Sequence, residues 1–243
     1  MGRRYTQTSH FACRLICVYL RSRRGGRLIF FCYHGNGFAR MADRFYLSLW
    51  LKDYDESQML DRYRTLLETF PFSKLQPRIR GFRIYPLSWS EHPVLEEDFT
   101  EEGAELGYIL SLASEFFHGD YAYEAAGCWD LWKFQKNGGP GAWKQAPAPV
   151  TLFCLGPEFE DGTAERGHLE IDFGPDTPFR ADQMLPDAES RIMAREYRER
   201  LQENIRKLLG FVHELDKRLP VQRKTLWTES GENFAEMIRQ SLK

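Results

Sequence analysis

The chain has 243 residues, of which 28% are charged and 42% hydrophobic, with a formal net charge of −2. No run of about 20 apolar residues occurs, which argues against a transmembrane helix. Three of the five cysteines fall in the first 40 residues, and the other two, Cys128 and Cys154, form no CxxC or zinc spacing, the usage of a reducing compartment.

The near-neutral total conceals two unlike pieces. Residues 1–40 hold eight arginines and no lysine, aspartate or glutamate, a charge of +8. Those eight belong to 33 basic residues in all, so 41–243 keeps 25 bases against 35 acids, a net −10. Arg14 splits the apolar stretch "FACRLICVYL", leaving no uninterrupted signal-peptide core. The expectation for 1–40 is a disordered or spurious basic extension, with Met41 as the natural start. A transit peptide is the alternative, as is an arm that meets nucleic acid or a membrane through Arg21, Arg23, Arg24 and Arg27. Residues 41–243 are long enough for a single core. Their acidity disfavours nucleic acid as a partner.

Along that piece, "RFYLSLWLK" (44–52) alternates Phe45, Leu47, Leu49 and Leu51 against Tyr46, Ser48 and Trp50, the period of a half-buried strand. Asp55 and Gln58 then have capping-box spacing ahead of Met59, Tyr63, Leu66 and Leu67, a helix that Pro71 ends. "RIRGFRIYPLSW" (78–89) reads as a second strand with a bulge at Gly81. Residues 100–119 read as a helix capped by Thr100.

Three further strands follow: "YAYEAAGCWDLWKF" (121–134), "VTLFCL" (150–155) and "HLEIDF" (168–173). The first two are joined by a loop, "QKNGGPGAWKQAPAP". From Asp187 to Leu219 apolar residues recur at steps of three and four, a long helix in which Gly210 marks a bend or a close contact. A short helix carrying Phe234 and Ile238 closes the chain. The expected architecture is α+β: an antiparallel or mixed sheet of about five strands, helices mainly on one face, and a long C-terminal helix.

Familiar nucleotide, hydrolase and metalloprotease motifs are absent. One constellation carries chemistry. In "HLEIDF", alternation places His168, Glu170 and Asp172 on the face opposite Leu169, Ile171 and Phe173. An imidazole and two carboxylates suit a divalent metal or an acid–base pair, so these three are the candidate catalytic and metal residues. A solvated polar sheet face is the preferred account, and a metal is not favoured. Tyr46 and Trp50, if exposed, are the candidate partner-binding residues. The functional expectation is a cytoplasmic, bacterial, acidic protein that binds a protein partner or a small ligand. A metal- or carboxylate-dependent hydrolase centred on "HLEIDF" is the alternative.

Overall fold

A computed structural model describes residues 42–99, 102–135, 141–160, 162–180, 191–231 and 234–241. The expectations for 1–40 and for Thr100 lie outside these residues.

The first half of the sheet contains β1 (Arg44–Leu51), β2 (Gly81–Pro86), β3 (Leu95–Asp98) and β4 (Tyr121–Gln135). It is completed by β5 (Ala142–Leu155), β6 (Leu169–Pro175) and β7 (Val221–Thr228). The helices are α1 (Glu56–Thr69), α2 (Leu106–Glu115), α3 (Gly162–Arg166), α4 (Arg191–Arg218) and α5 (Phe234–Ser241). All seven strands form one sheet in the order β3-β2-β4-β5-β6-β1-β7, and every pairing is antiparallel.

This corrects the expected sheet of about five strands. Both strands that sequence reading missed lie at the sheet edges, where pattern is weakest. The sequence of β3, "LEED", has poor strand propensity. It is held because Arg83 on β2 bonds Glu96 at 2.7 Å and Asp98 at 3.0 Å, while also reaching Glu124 on β4 at 3.3 Å. β7 pairs along the whole of β1, from Phe45↔Thr228 to Leu51↔Val221, but its polar "QRK" hides the alternation. β5 is also longer than expected, because its Pro147 and Pro149 read as loop. They are tolerated because β6 pairs β5 only over Thr151–Cys154, so that among the described residues no strand beside the prolines needs their N–H groups.

The core lies between one sheet face and the helices. Phe45, Leu47, Leu49 and Leu51 meet Leu152, Cys154, Leu169 and Ile171 in one buried cluster. Met59, Tyr63, Leu66 and Leu67 of α1 and Leu201, Ile205, Leu208, Phe211 and Leu215 of α4 cover it. Asp55 caps α1 by accepting from the Gln58 N–H at 3.1 Å. The Gln58 side chain turns instead to Arg62, so only one half of the capping box forms. α4 runs through Gly210 as one helix, and a Cβ there would meet nothing within 4 Å, so this glycine is not a packing contact. Gly81 pairs with both Asp98 and Ala126 and is not bulged.

β4 and β5 pair continuously from Ala122↔Leu155 to Gln135↔Ala142, whereas β2 accompanies β4 only as far as Ala126. The remainder projects as a two-stranded arm, about 30 Å long at ~3.3 Å per residue. An unpaired strand edge exposes backbone groups, and here they are satisfied in turn. The Ala126 and Cys128 carbonyls accept from the Arg80 and Ser73 N–H groups, each at 2.7 Å. The Asp130 carbonyl accepts from Lys207 Nζ at 2.7 Å. The buried Asn204 side chain accepts from the Trp132 N–H at 2.9 Å and donates to its carbonyl at 3.0 Å, standing in for a neighbouring strand. α4 is thus bound to the arm's edge as well as to the core.

Candidate functional site

The "HLEIDF" residues sit as alternation requires, with Leu169, Ile171 and Phe173 in the core, but the His168 Nδ1 and the carboxylates of Glu170 and Asp172 are engaged in hydrogen bonds. His168 lies just before β6. Its Nδ1 accepts the Leu51 N–H at 3.0 Å, and its ring stacks on Tyr54 with centroids 4.2 Å apart. A ring nitrogen that accepts must be unprotonated, and burial pushes the imidazole pKa down, consistent with that role.

Glu170 is completely buried, and both of its oxygens accept from the Arg166 guanidinium. That fork is possible because Gly167 turns the chain between α3 and β6. Its φ is +87°, and a Cβ there would come within 2.7 Å of the Leu49 carbonyl oxygen. Arg166 in turn lies 4.7 Å over the Trp89 ring. Asp172 accepts from Arg44 at 2.6 Å and from the Gly174 N–H at 2.8 Å. Among the described residues, no three His, Cys, Asp or Glu side chains group so as to hold a metal.

Tyr46 and Trp50 are likewise internal. Tyr46 is 3% exposed, stacks on Trp227 at 4.4 Å and donates its hydroxyl to Glu229 at 2.7 Å. Trp50 is half-buried, with its indole N–H bonded to the Thr163 carbonyl at 2.9 Å and Arg223 3.9 Å above its ring. The indole N–H of Trp227 completes the row by donating to the buried Ser48 hydroxyl at 3.0 Å. On the sheet face opposite the core, the polar side chains of β1, β6 and β7 therefore bond largely within the fold. Part of that face lies beneath a cover that contains Trp89, Phe159 and α3.

A different region has the form of a binding site. Between the arm, the start of α4 and the 3-10 turn Thr177–Phe179 lies a cavity of about 470 Å³. That is within the range of small-molecule sites, about 300–1,000 Å³. Its walls are mainly apolar: Leu131, Phe134, Trp143, Phe173, Pro178, Tyr197 and Leu201. Trp143 contacts Phe134 edge-on at 5.5 Å and Tyr197 edge-on at 5.3 Å. The Tyr197 hydroxyl is anchored on the Arg180 carbonyl at 2.7 Å. Trp132 is held by Asn204 through its backbone and by Arg200 3.8 Å over its ring. Among the described residues one charged side chain lines the cavity, that of Lys133.

Sequence reading missed this cavity because Trp143 fell within an apparent loop. The available signal was the aromatic density of "WDLWKF" and "AW" on either side of the glycine-rich turn. No protein-family model, curated protein or solved structure matches the chain at a significant level. Among the described residues, no helix is long and apolar enough to cross a membrane.

Proposed function

We propose that residues 42–241 form a binding domain for a small, largely apolar ligand, seated in the cavity at the root of the β4–β5 arm. The observation that carries this reading is the cavity itself: about 470 Å³ walled by partly accessible aromatic side chains on a braced arm. Buried apolar walls supply affinity, and rigid aromatics lose little entropy on binding. The bracing by Asn204 and Lys207 keeps the walls in place before a ligand arrives. The polar face around Glu170 and Asp172 is less suited, since its carboxylates are neutralised by Arg166 and Arg44.

The test is calorimetric titration with the neutral aromatic probe 2-naphthylacetamide. At roughly 0.3–0.4 kcal/mol per heavy atom, its expected Kd is roughly 0.1–1 mM. Thr177 is an exposed residue on the cavity wall, so Thr177→Trp should fill the site without disturbing the core and abolish binding. Equal binding by both proteins would show that the probe sits elsewhere and would refute the cavity as the site.

A further inference from the structure

The cavity is lined by a lysine that has no carboxylate partner among the described residues. Lys133 is half-buried, and burial pushes its ammonium pKa below the usual value. Its Nζ donates to the Pro147 carbonyl at 3.1 Å. Among the described residues no carboxylate pairs with it, although Glu and Asp outnumber Lys and Arg in 41–243. Several buried or half-buried arginines are matched by acids, Arg166 by Glu170, Arg180 by Asp176 and Arg83 by three, and the half-buried Lys207 spends its ammonium on the Asp130 carbonyl away from the cavity wall; Lys133 differs in lining the cavity.

The register adds a second, independent observation. Lys133 stands directly opposite Lys144 on β5, so the two side chains share one face of the arm. Like charges at directly opposed positions destabilise a strand pair. Lys144 also has no carboxylate partner among the described residues. An anion placed beside this pair would relieve the repulsion and neutralise the desolvated ammonium together. A wholly apolar ligand would do neither.

Resting on the cavity reading above, we propose that the ligand is an apolar molecule bearing one carboxylate, with Lys133 as its anion anchor and Lys144 as a second, more exposed attraction. The apolar body lies against Leu131, Phe173 and Leu201, while the carboxylate takes up the ammonium's unused donors. Two lysines rather than an arginine offer point charges that follow a carboxylate at slightly different depths, which suits a set of related acids better than one rigidly held molecule.

The experiment compares matched probes, 2-naphthylacetate and 2-naphthylacetamide, by calorimetry at pH 7.5 on the full chain. Wild-type protein should bind the acid at least ten times more tightly than the amide. Lys133→Met should bring the two to within about twofold, and Lys144→Met should reduce the acid's advantage only in part. Raising salt should weaken the acid and leave the amide unchanged. Equal affinity of wild type for acid and amide would overturn the anchor while leaving the cavity reading intact. Binding of neither probe, or undiminished binding by Thr177→Trp, would overturn both. The wild-type comparison stands even if a lysine variant folds poorly. Lys133→Gln serves as the milder second variant and should also lose the acid's advantage.

Discussion

Two regions of this sheet are rich in aromatics and charge, yet they resolve those features in opposite ways. On the face of β1, β6 and β7 away from the helices, the polar groups are paired internally. Arg166 holds Glu170, Arg44 holds Asp172, Trp227 bonds Ser48, and Tyr46 bonds Glu229. On the arm, Lys133, which lines an aromatic-walled cavity, stands opposite Lys144, and neither has an acid partner among the described residues. A charged cluster whose members neutralise one another is an element of stability. A desolvated charge without an acid partner beside a cavity is what the proposed anion would engage. Residue type alone would rank these regions the other way, since "HLEIDF" looks more chemical than "WKF".

The comparison is broken most directly at Glu170. Replacing it with alanine leaves Arg166 largely buried without its carboxylate, and removing one partner of a buried pair costs about 3–5 kcal/mol. Lys133→Met, on the arm, should leave stability within about 0.5 kcal/mol or raise it, because it removes a cation that has no acid partner. Urea titrations of the two variants should differ severalfold in their effect. A cost below about 1 kcal/mol for Glu170→Ala would mean that the face is wetter than its geometry implies.

Asn204 ties the arm to α4, and its loss should have the next largest effect. Alanine there orphans the Trp132 N–H together with the Trp132 and Pro178 carbonyls. Leaving buried backbone groups unpaired costs about 1–3 kcal/mol. Hydrogen exchange should show the change concentrated on the arm's edge, at the Trp132 amide. Protection lost uniformly across the sheet would contradict the bracing role.

These two sites also show what could be read before the structure. The β1 pattern places Phe45, Leu47, Leu49 and Leu51 in the core, and the "HLEIDF" alternation puts Glu170 and Asp172 on the other face, because period two is local. What covers that face is not local. Arg166 is only four residues from Glu170, but the pair depends on the Gly167 turn, and Trp89 arrives from another segment. The sheet was read as too small for a related reason. β3 is held by Arg83 across the sheet, and the prolines of β5 are permitted by the absence of a neighbour. The helical period of α4 was visible in its leucines. Gly210 interrupts neither the helix nor its packing, since a Cβ there would meet nothing within 4 Å, and Asn204 is a buried polar residue that a hydrophobic pattern cannot register.

His168 sharpens the comparison through pH. Its pKa is lowered by burial, so the unfolded chain, titrating near 6.5, takes up a proton before the folded one does. The stability that depends on neutral His168 is complete above that value and is lost as pH falls towards the folded pKa. Protonation also places an N–H against the Leu51 N–H. Glu124 works in the opposite sense, since burial raises its pKa, but it is common to wild type and variant and cancels in their difference. Between pH 7.5 and pH 5.5, wild type should lose more stability than His168→Gln, whose side-chain oxygen can still accept. Equal losses in urea midpoints would remove His168 as the source.

The smallest effect expected is also the one most specific to the arm. Lys144→Glu converts the opposed pair Lys133↔Lys144 into an attraction. Opposite charges at such positions contribute roughly 0.2–1 kcal/mol, and the repulsion is removed as well. For a domain of this size the melting temperature should rise by at most about 4 °C. The control is Gln145→Glu, one residue along β5 and therefore on the other face, opposite Trp132, which should change little. With an internal glutamate beside Lys133, the arm would resemble the neutralised face of β1 and β6, and the advantage of 2-naphthylacetate over its amide should shrink with it. Stabilisation without that loss of affinity would separate the two lysines' mutual repulsion from ligand recognition. Neither change would mean that the ammonium groups splay apart, and the contrast between the two regions would then rest on the cavity alone.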